Sequence, residues 1–119
     1  MRENWKPIKN FEDQYLVSNY GNVKSLRRNK ILKPYTNNTK YLYVCLSNGK
    51  SKKHYRIHRL VANAFIPNPE SKEFINHKDY NTFNNRVDNL EWVTMAENID
   101  YSRQNVLKGI KKRIALYGR

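Results

Sequence analysis

In the first half of the chain, short β-prone apolar runs are separated by clusters of turn residues, the pattern of β-structure. Tyr15-Leu16-Val17-Ser18 is a short β-prone run, Asn19-Tyr20-Gly21-Asn22 is rich in turn residues, and Val23-Lys24-Ser25-Leu26 returns. Residues 15–26 therefore predict a hairpin. Leu42, Val44 and Leu46 then alternate with Tyr41, Tyr43 and Cys45, and Asn48-Gly49 marks a hairpin turn before a return strand through Tyr55-Arg56-Ile57. Pro7 and Pro34 are expected outside central strands. At His58 the period lengthens. Leu60, Val61, Ala64 and Phe65 share one helical face, and Pro67 and Pro69 stop that helix. Phe74-Ile75-Asn76-His77 and Leu90-Glu91-Trp92-Val93 read as strands on either side of a polar, Asn-rich loop. Thr94-Met95-Ala96-Glu97 fits a capping box, so 74–101 reads strand, loop, strand, helix. Beyond Arg103, Val106, Ile110, Ile114 and Tyr117 have helical spacing among Lys108, Lys111, Lys112 and Arg113. They predict a basic C-terminal helix, which Gly109 weakens by about 1 kcal/mol. The fold class is α+β, with a β-hairpin lobe first.

Length limits what such a chain can enclose. With 119 residues it forms one domain, or two small lobes sharing a core. Roughly a third of its unfolded surface stays exposed, which argues against a large, deep substrate cavity. Leu60, Phe65, Trp92 and Val93 are expected in the core, with Trp5 and Phe11 in the core of the first lobe. The single cysteine, Cys45, excludes an internal disulfide and a Cys-based zinc site, and is expected to be small and buried. No apolar run approaches the roughly 20 residues of a membrane-spanning helix. Met1-Arg2-Glu3-Asn4-Trp5 lacks the apolar stretch of a secretion signal.

Charge changes the picture most. Lys and Arg number 23 against 10 Asp and Glu, a formal net charge of +13. Residues 24–69 hold eleven basic groups and no acidic one; 70–100 hold three against seven; 101–119 hold six against none. Such a field destabilises the folded chain by self-repulsion, and a polyanion relieves it. Nucleic acid is the default polyanion. An anionic membrane surface is the rival, but no strongly apolar amphipathic helix dominates the chain.

Candidate chemistry centres on His77. The hairpin of 74–93 brings its strand ends together, and the capped helix carrying Asn98 starts beside them. An imidazole there can act as a general base near neutrality. Asn76 and Asn98 offer amide oxygens, which suit a hard cation such as Mg²⁺ if substrate phosphate oxygens complete its shell. The plain alternative is that His77 is a hydrogen-bonding residue at a strand end. Asparagine occurs 17 times, and many of these are turn formers.

The residues Asn76-His77-Lys78-Asp79, Asn81, Asn84-Asn85, Asn89-Leu90-Glu91-Trp92-Val93-Thr94 and Glu97-Asn98 strongly resemble HNH endonucleases of phage and intron-homing type. The stretch His58-Arg59-Leu60-Val61-Ala62 through Asn68-Pro69 resembles the helix preceding the nuclease core in that family. Trp5-Lys6-Pro7-Ile8 through Ser25-Leu26 is similar to the nuclease-associated modular DNA-binding motif often fused to it. Three ordered motifs spanning roughly 4–100 make the resemblance specific.

The resemblance implies a ββα-metal (His-Me finger) core and a division into a DNA-binding motif at 1–55, an HNH core at 56–102 and a basic tail at 103–119. It makes His77 the general base, Asn76 and Asn98 metal ligands for Mg²⁺ or Mn²⁺, and Asn89 the structural asparagine of the loop. Many relatives have Asp where this chain has Asn76, which removes a negative charge from the metal site. The implied substrate is double-stranded DNA, cut to 5′-phosphate and 3′-hydroxyl ends. One site per chain favours nicking by a monomer or weak dimer, in the cytoplasm (the host's, if phage-encoded). Lys24, Arg27, Arg28, Lys30, Lys33, Lys40, Lys52, Lys53 and Arg59 are the expected DNA contacts, mostly to phosphates, with Arg27 and Arg28 placed to read guanine edges. Two other readings fit the same residues: a DNA-binding module whose core is inactive, and an accessory nuclease of a phage packaging or replication complex.

Overall fold

The computed structural model describes residues 1–99. Four short strands, β1 (Trp5–Pro7), β2 (Tyr15–Ser18), β3 (Val23–Ser25) and β4 (Lys30–Ile31), form an antiparallel sheet in sequence order. The β2–β3 pair is the hairpin expected over 15–26, with Val17 opposite Val23. Pro7 lies on the edge strand β1, where a missing amide is tolerated.

A second hairpin joins β5 (Tyr43–Ser47) to β6 (Lys52–Arg56) around Asn48 and Gly49. Asn48 Oδ1 accepts the amides of Lys50 and Ser51 at 2.9 Å each, and Gly49 takes φ +91°. Helix α1 (Ile57–Phe65) follows without a linker. Ile57, expected to end the return strand, opens the helix instead. Its amide still donates across the sheet to Leu42 O at 3.0 Å, so it serves both elements. β7 (Phe74–His77) and β8 (Leu90–Val93) pair antiparallel, with His77 opposite Leu90. α2 then occupies 95–99 of the described residues. Its capping box closes in both directions: Glu97 N–H donates to Thr94 Oγ1 at 3.1 Å, and Thr94 N–H to Glu97 Oε1 at 2.8 Å. The basic helix expected from 103 onward lies outside the described residues.

The chain is thus α+β, with a β-rich first part and a helix set among strands. One hydrophobic core runs through it. Ile8, Val17 and Val23 of the first sheet join Val44 and Leu46 of β5, Ile57, Leu60 and Val61 of α1, and Ile75 and Leu90 of the last hairpin. Phe11, Phe65 and Trp92 pack against this core half-buried. Trp5 and Cys45 do not join it. Trp5 is half-buried under the Lys24 ammonium, 5.9 Å from its ring, and strand alternation turns Cys45 away from Val44 and Leu46. No helix among the described residues is long and apolar enough to cross a membrane.

Candidate active site

The strand β7 ends in two fully enclosed polar residues, Asn76 at 0 % and His77 at 1 % exposure. Adjacent strand residues project to opposite faces, so the two have separate surroundings. Asn76 Nδ2 donates to Glu91 Oε1 at 3.4 Å, while its Oδ1 is enclosed and accepts no hydrogen bond. His77 Nε2 donates to Asn85 Oδ1 at 2.9 Å. Since Oδ1 can only accept, this bond calls for a proton on Nε2, and a neutral ring so held would carry its basic lone pair on Nδ1.

The loop between β7 and β8 returns Asn85 to that position. Asn89 Oδ1 accepts the Asp79 amide at 3.0 Å, and Asn89 Nδ2 donates to Asp79 Oδ1 at 2.9 Å and Asn84 O at 2.8 Å. Asp79 also accepts from Asn84 Nδ2 and the Asn81 amide, each at 2.8 Å. Burial alone would raise the Asp79 pKa, but these donors, with His77 nearby, hold the carboxyl below its ordinary value. Much of the asparagine in the loop therefore closes a network around one carboxylate. Elsewhere Asn10, Asn29, Asn37 and Asn38 take left-handed φ of 44° to 73°, the turn role expected of them.

A second histidine backs the first. His58, in the first turn of α1, is 4 % exposed, and its Nδ1 has no hydrogen-bond partner. Its ring lies 5.1 Å from that of His77 and 5.0 Å from that of Tyr41, centroid to centroid. The Arg56 guanidinium stands 4.9 Å from the Tyr41 centroid. Burial first, then the neighbouring His77, Arg59 and Arg56, push the His58 pKa down to about 3, so the ring is neutral. Neither Asn85 nor His58 has a role in the sequence reading, because both act through contacts made only when separate segments close on β7.

Asn98 lies on α2, which the capping box orients; its amide donates to Thr94 O at 2.9 Å. Its Oδ1 is enclosed without a partner. Among the described residues, Asn76 and Asn98 thus provide the two side-chain oxygens that are both shut off from solvent and unbonded. Each such oxygen costs about 1–3 kcal/mol until something satisfies it. Two neutral amide oxygens suit an oxygen-seeking cation such as Mg²⁺ or Mn²⁺ rather than a metal that prefers thiolate. No three His, Cys, Asp or Glu side chains gather among the described residues, so this donor set needs oxygens from elsewhere.

The basic residues divide by location. Arg27, Arg28 and Lys52 line a cleft of about 650 Å³, beside Tyr15 and Ser25. Arg28, Lys30 and Lys33 line a neighbouring one that shares Tyr15 and Ser25. These five cations therefore form one face. Lys53 is exposed on β6. Lys40 lies beside the loop between β7 and β8, its carbonyl accepting from the Thr82 hydroxyl. Arg59 is engaged internally, donating to Glu73 O at 2.6 Å with its guanidinium 5.9 Å from the Trp92 ring.

The model of an HNH endonuclease family matches residues 55–99, and that of the NUMOD4 motif matches 3–47. An uncharacterized HNH endonuclease of Acanthamoeba polyphaga mimivirus is 39 % identical over 116 residues, covering 98 % of this chain and 33 % of the relative. DNA endonuclease I-HmuI of Bacillus phage SP01 is 40 % identical over 96 residues, covering 81 % of this chain and 55 % of the relative. A solved structure describing DNA binding and cleavage by the HNH homing endonuclease I-HmuI superposes with a TM-score of 0.80 at 38 % identity, covering 85 % of this chain and 58 % of that one. The chain thus spans between about a third and somewhat over half of the length of these relatives.

Proposed function

Because this chain belongs to the HNH endonucleases, with a NUMOD4 motif ahead of its nuclease core, we propose that it is a metal-dependent DNA endonuclease that nicks one strand. His77 is the general base. Its Nδ1 takes a proton from water, and the hydroxide attacks the scissile phosphorus in line. Asn85 holds the opposite ring nitrogen, and Asn89 keeps the loop closed behind it. Asn76 and Asn98 would hold a divalent cation, which supplies Lewis-acid stabilisation of the pentacovalent charge and of the leaving 3′-oxygen. The face of Arg27, Arg28, Lys30, Lys33 and Lys52 carries the duplex by its phosphates, with further contacts from Lys24, Lys40, Lys53 and Arg59. The reading rests chiefly on the two orphaned amide oxygens of Asn76 and Asn98, because they are enclosed and unbonded at the two positions to which the motif gives the metal.

Plasmid nicking with Mg²⁺ or Mn²⁺, compared with no metal, tests the whole reading. Tight binding without cleavage in either metal would leave only a DNA-binding module.

Two further outcomes are expected. If the five-cation face meets phosphates, log affinity falls with log salt at a slope of about 4 to 5, near 0.9 per phosphate. Arg28→Glu, which alters the residue common to both clefts, lowers that slope; a shallow slope in the native chain contradicts the phosphate contacts. Asn76→Asp restores a charged ligand but sets it against Glu91, where Asn76 now donates a hydrogen bond. The metal-free protein should melt at a lower temperature and bind Mn²⁺ about tenfold more tightly, since affinity follows ligand charge. Calorimetric titration without DNA measures this, and unchanged Mn²⁺ affinity removes Asn76 from the metal site.

A further inference from the structure

The turn between β2 and β3 belongs to the NUMOD4 motif, yet it packs onto the nuclease loop. Ser18 Oγ accepts the amides of Tyr20 and Asn22 at 3.2 and 3.1 Å and so fixes the turn from within. Asn19, 5 % exposed, ties it to the N-terminus: its Oδ1 accepts the Asn4 amide at 2.7 Å, and its Nδ2 donates to Arg2 O at 3.0 Å. The Asn19 carbonyl then accepts the Val87 amide at 2.9 Å, and the Arg86 guanidinium stands 4.5 Å from the Tyr20 ring centroid. Gly21 makes the closest approach. It holds φ +91°, and a Cβ built there would come within 3.0 Å of both Cβ and O of Asn85.

Asn85 is the residue whose side chain receives the His77 Nε2 proton. It is set between the turn on one side and the imidazole on the other. Only a residue without a Cβ lets the turn backbone lie this close. A shift of Asn85 by a few tenths of an ångström would lengthen or bend the His77 hydrogen bond, which selects the tautomer and aims the ring.

We propose that the Ser18–Asn22 turn of the NUMOD4 motif is a positioning element of the nuclease site, holding His77 in its Nε2–H form through Asn85. The first lobe then does more than carry DNA: it completes the active site. This inference rests on His77 being the base, so its test includes a readout independent of cleavage.

The experiment uses the full chain labelled with ¹⁵N-histidine, without DNA or metal, and records the ring-nitrogen signals of His77. The native chain should show the Nε2–H tautomer. Asn85→Ala removes the acceptor and Gly21→Ala displaces it. Both should move His77 into a mixture of tautomers and slow single-turnover cleavage about 10- to 100-fold, as a small misplacement of a reacting group does. Asn85→Asp retains an acceptor and should retain the Nε2–H signal. Tyr20→Ala, a milder perturbation of the same contact, should shift the signals in the same direction even if Gly21→Ala does not fold. Gly49→Ala is the control: it has the same φ of +91° but nothing within 4 Å of the added methyl, so it imposes the backbone cost alone. Its His77 signals should match the native ones.

If Gly21→Ala and Tyr20→Ala leave the His77 signals native, the turn merely packs and the proposal is overturned. If they shift the signals while His77→Ala cleaves normally, the mechanical link stands and the base assignment is what fails.

Discussion

Replacing His77 with glutamine should slow single-turnover cleavage about 100- to 10,000-fold, the range a positioned general base contributes, without loss of DNA affinity. Glutamine is preferable to alanine here. His77 is enclosed against His58 and Tyr41 and bonded to Asn85, and truncation to alanine would add a cavity cost of about 2–4 kcal/mol. A drop in activity could then be mistaken for partial unfolding. Cleavage of supercoiled plasmid, duplex binding and thermal melting should be measured on the same preparations. The base assignment survives if cleavage collapses while binding and melting hold. Native cleavage by the glutamine variant would transfer the proton-accepting role to another group.

The second large effect concerns stability in acid. His58 has its pKa pushed down to about 3 by enclosure and by the neighbouring His77, Arg59 and Arg56, while in the unfolded chain a histidine titrates near 6.5. Above that value both states are neutral at this site and no free energy is involved. Between about 6.5 and 3 the unfolded chain binds a proton that the folded chain refuses. Stability is therefore lost as pH falls, at up to about 1.4 kcal/mol per unit and on the order of 5 kcal/mol in all. By pH 5 about 2 kcal/mol of this is gone, a large share of a typical domain's marginal stability. Denaturant melts at pH 7, 6 and 5 should show the decline. His58→Phe, which fills the space with a ring that cannot titrate, should flatten the curve over that interval. Equal slopes in native and variant chains would show that other groups carry the dependence, with His77, which faces His58 directly, the first to examine.

What the sequence made legible was local. β7, β8 and the capped helix follow from strings of four to five residues whose signals act within themselves, and the Thr94–Glu97 reciprocal bonds form as the spacing requires. The strands β1 and β4 were not visible. At three and two residues they have no period of their own, and they exist because β2 and β3 offer them edges. Cys45 and Trp5 were expected inside because of their residue types, but strand alternation and a nearby lysine leave them half-buried. Position at a strand end and on the capped helix made Asn76 and Asn98 candidates among 17 asparagines, but spacing alone could not decide for them, and it took the family likeness to give them a role. Their enclosed, unbonded oxygens are a property of the closed fold. The Asn85–His77 bond was illegible for the same reason. It requires Asp79 and Asn89 to close a loop, and a turn more than sixty residues upstream to seat against it.

The continuity of the core from Val17 and Val23 through α1 to Ile75 and Leu90 bears on how such proteins can be recombined. Two sequence motifs that look like detachable cassettes share one interior, and helix α1, which opens the second, rests on strand β2 of the first. A chimera that exchanges the leading motif must import side chains complementary to Ile57, Leu60 and Val61 at that seam. Grafts chosen at the motif boundary without regard to that seam would leave the second motif without part of its own floor.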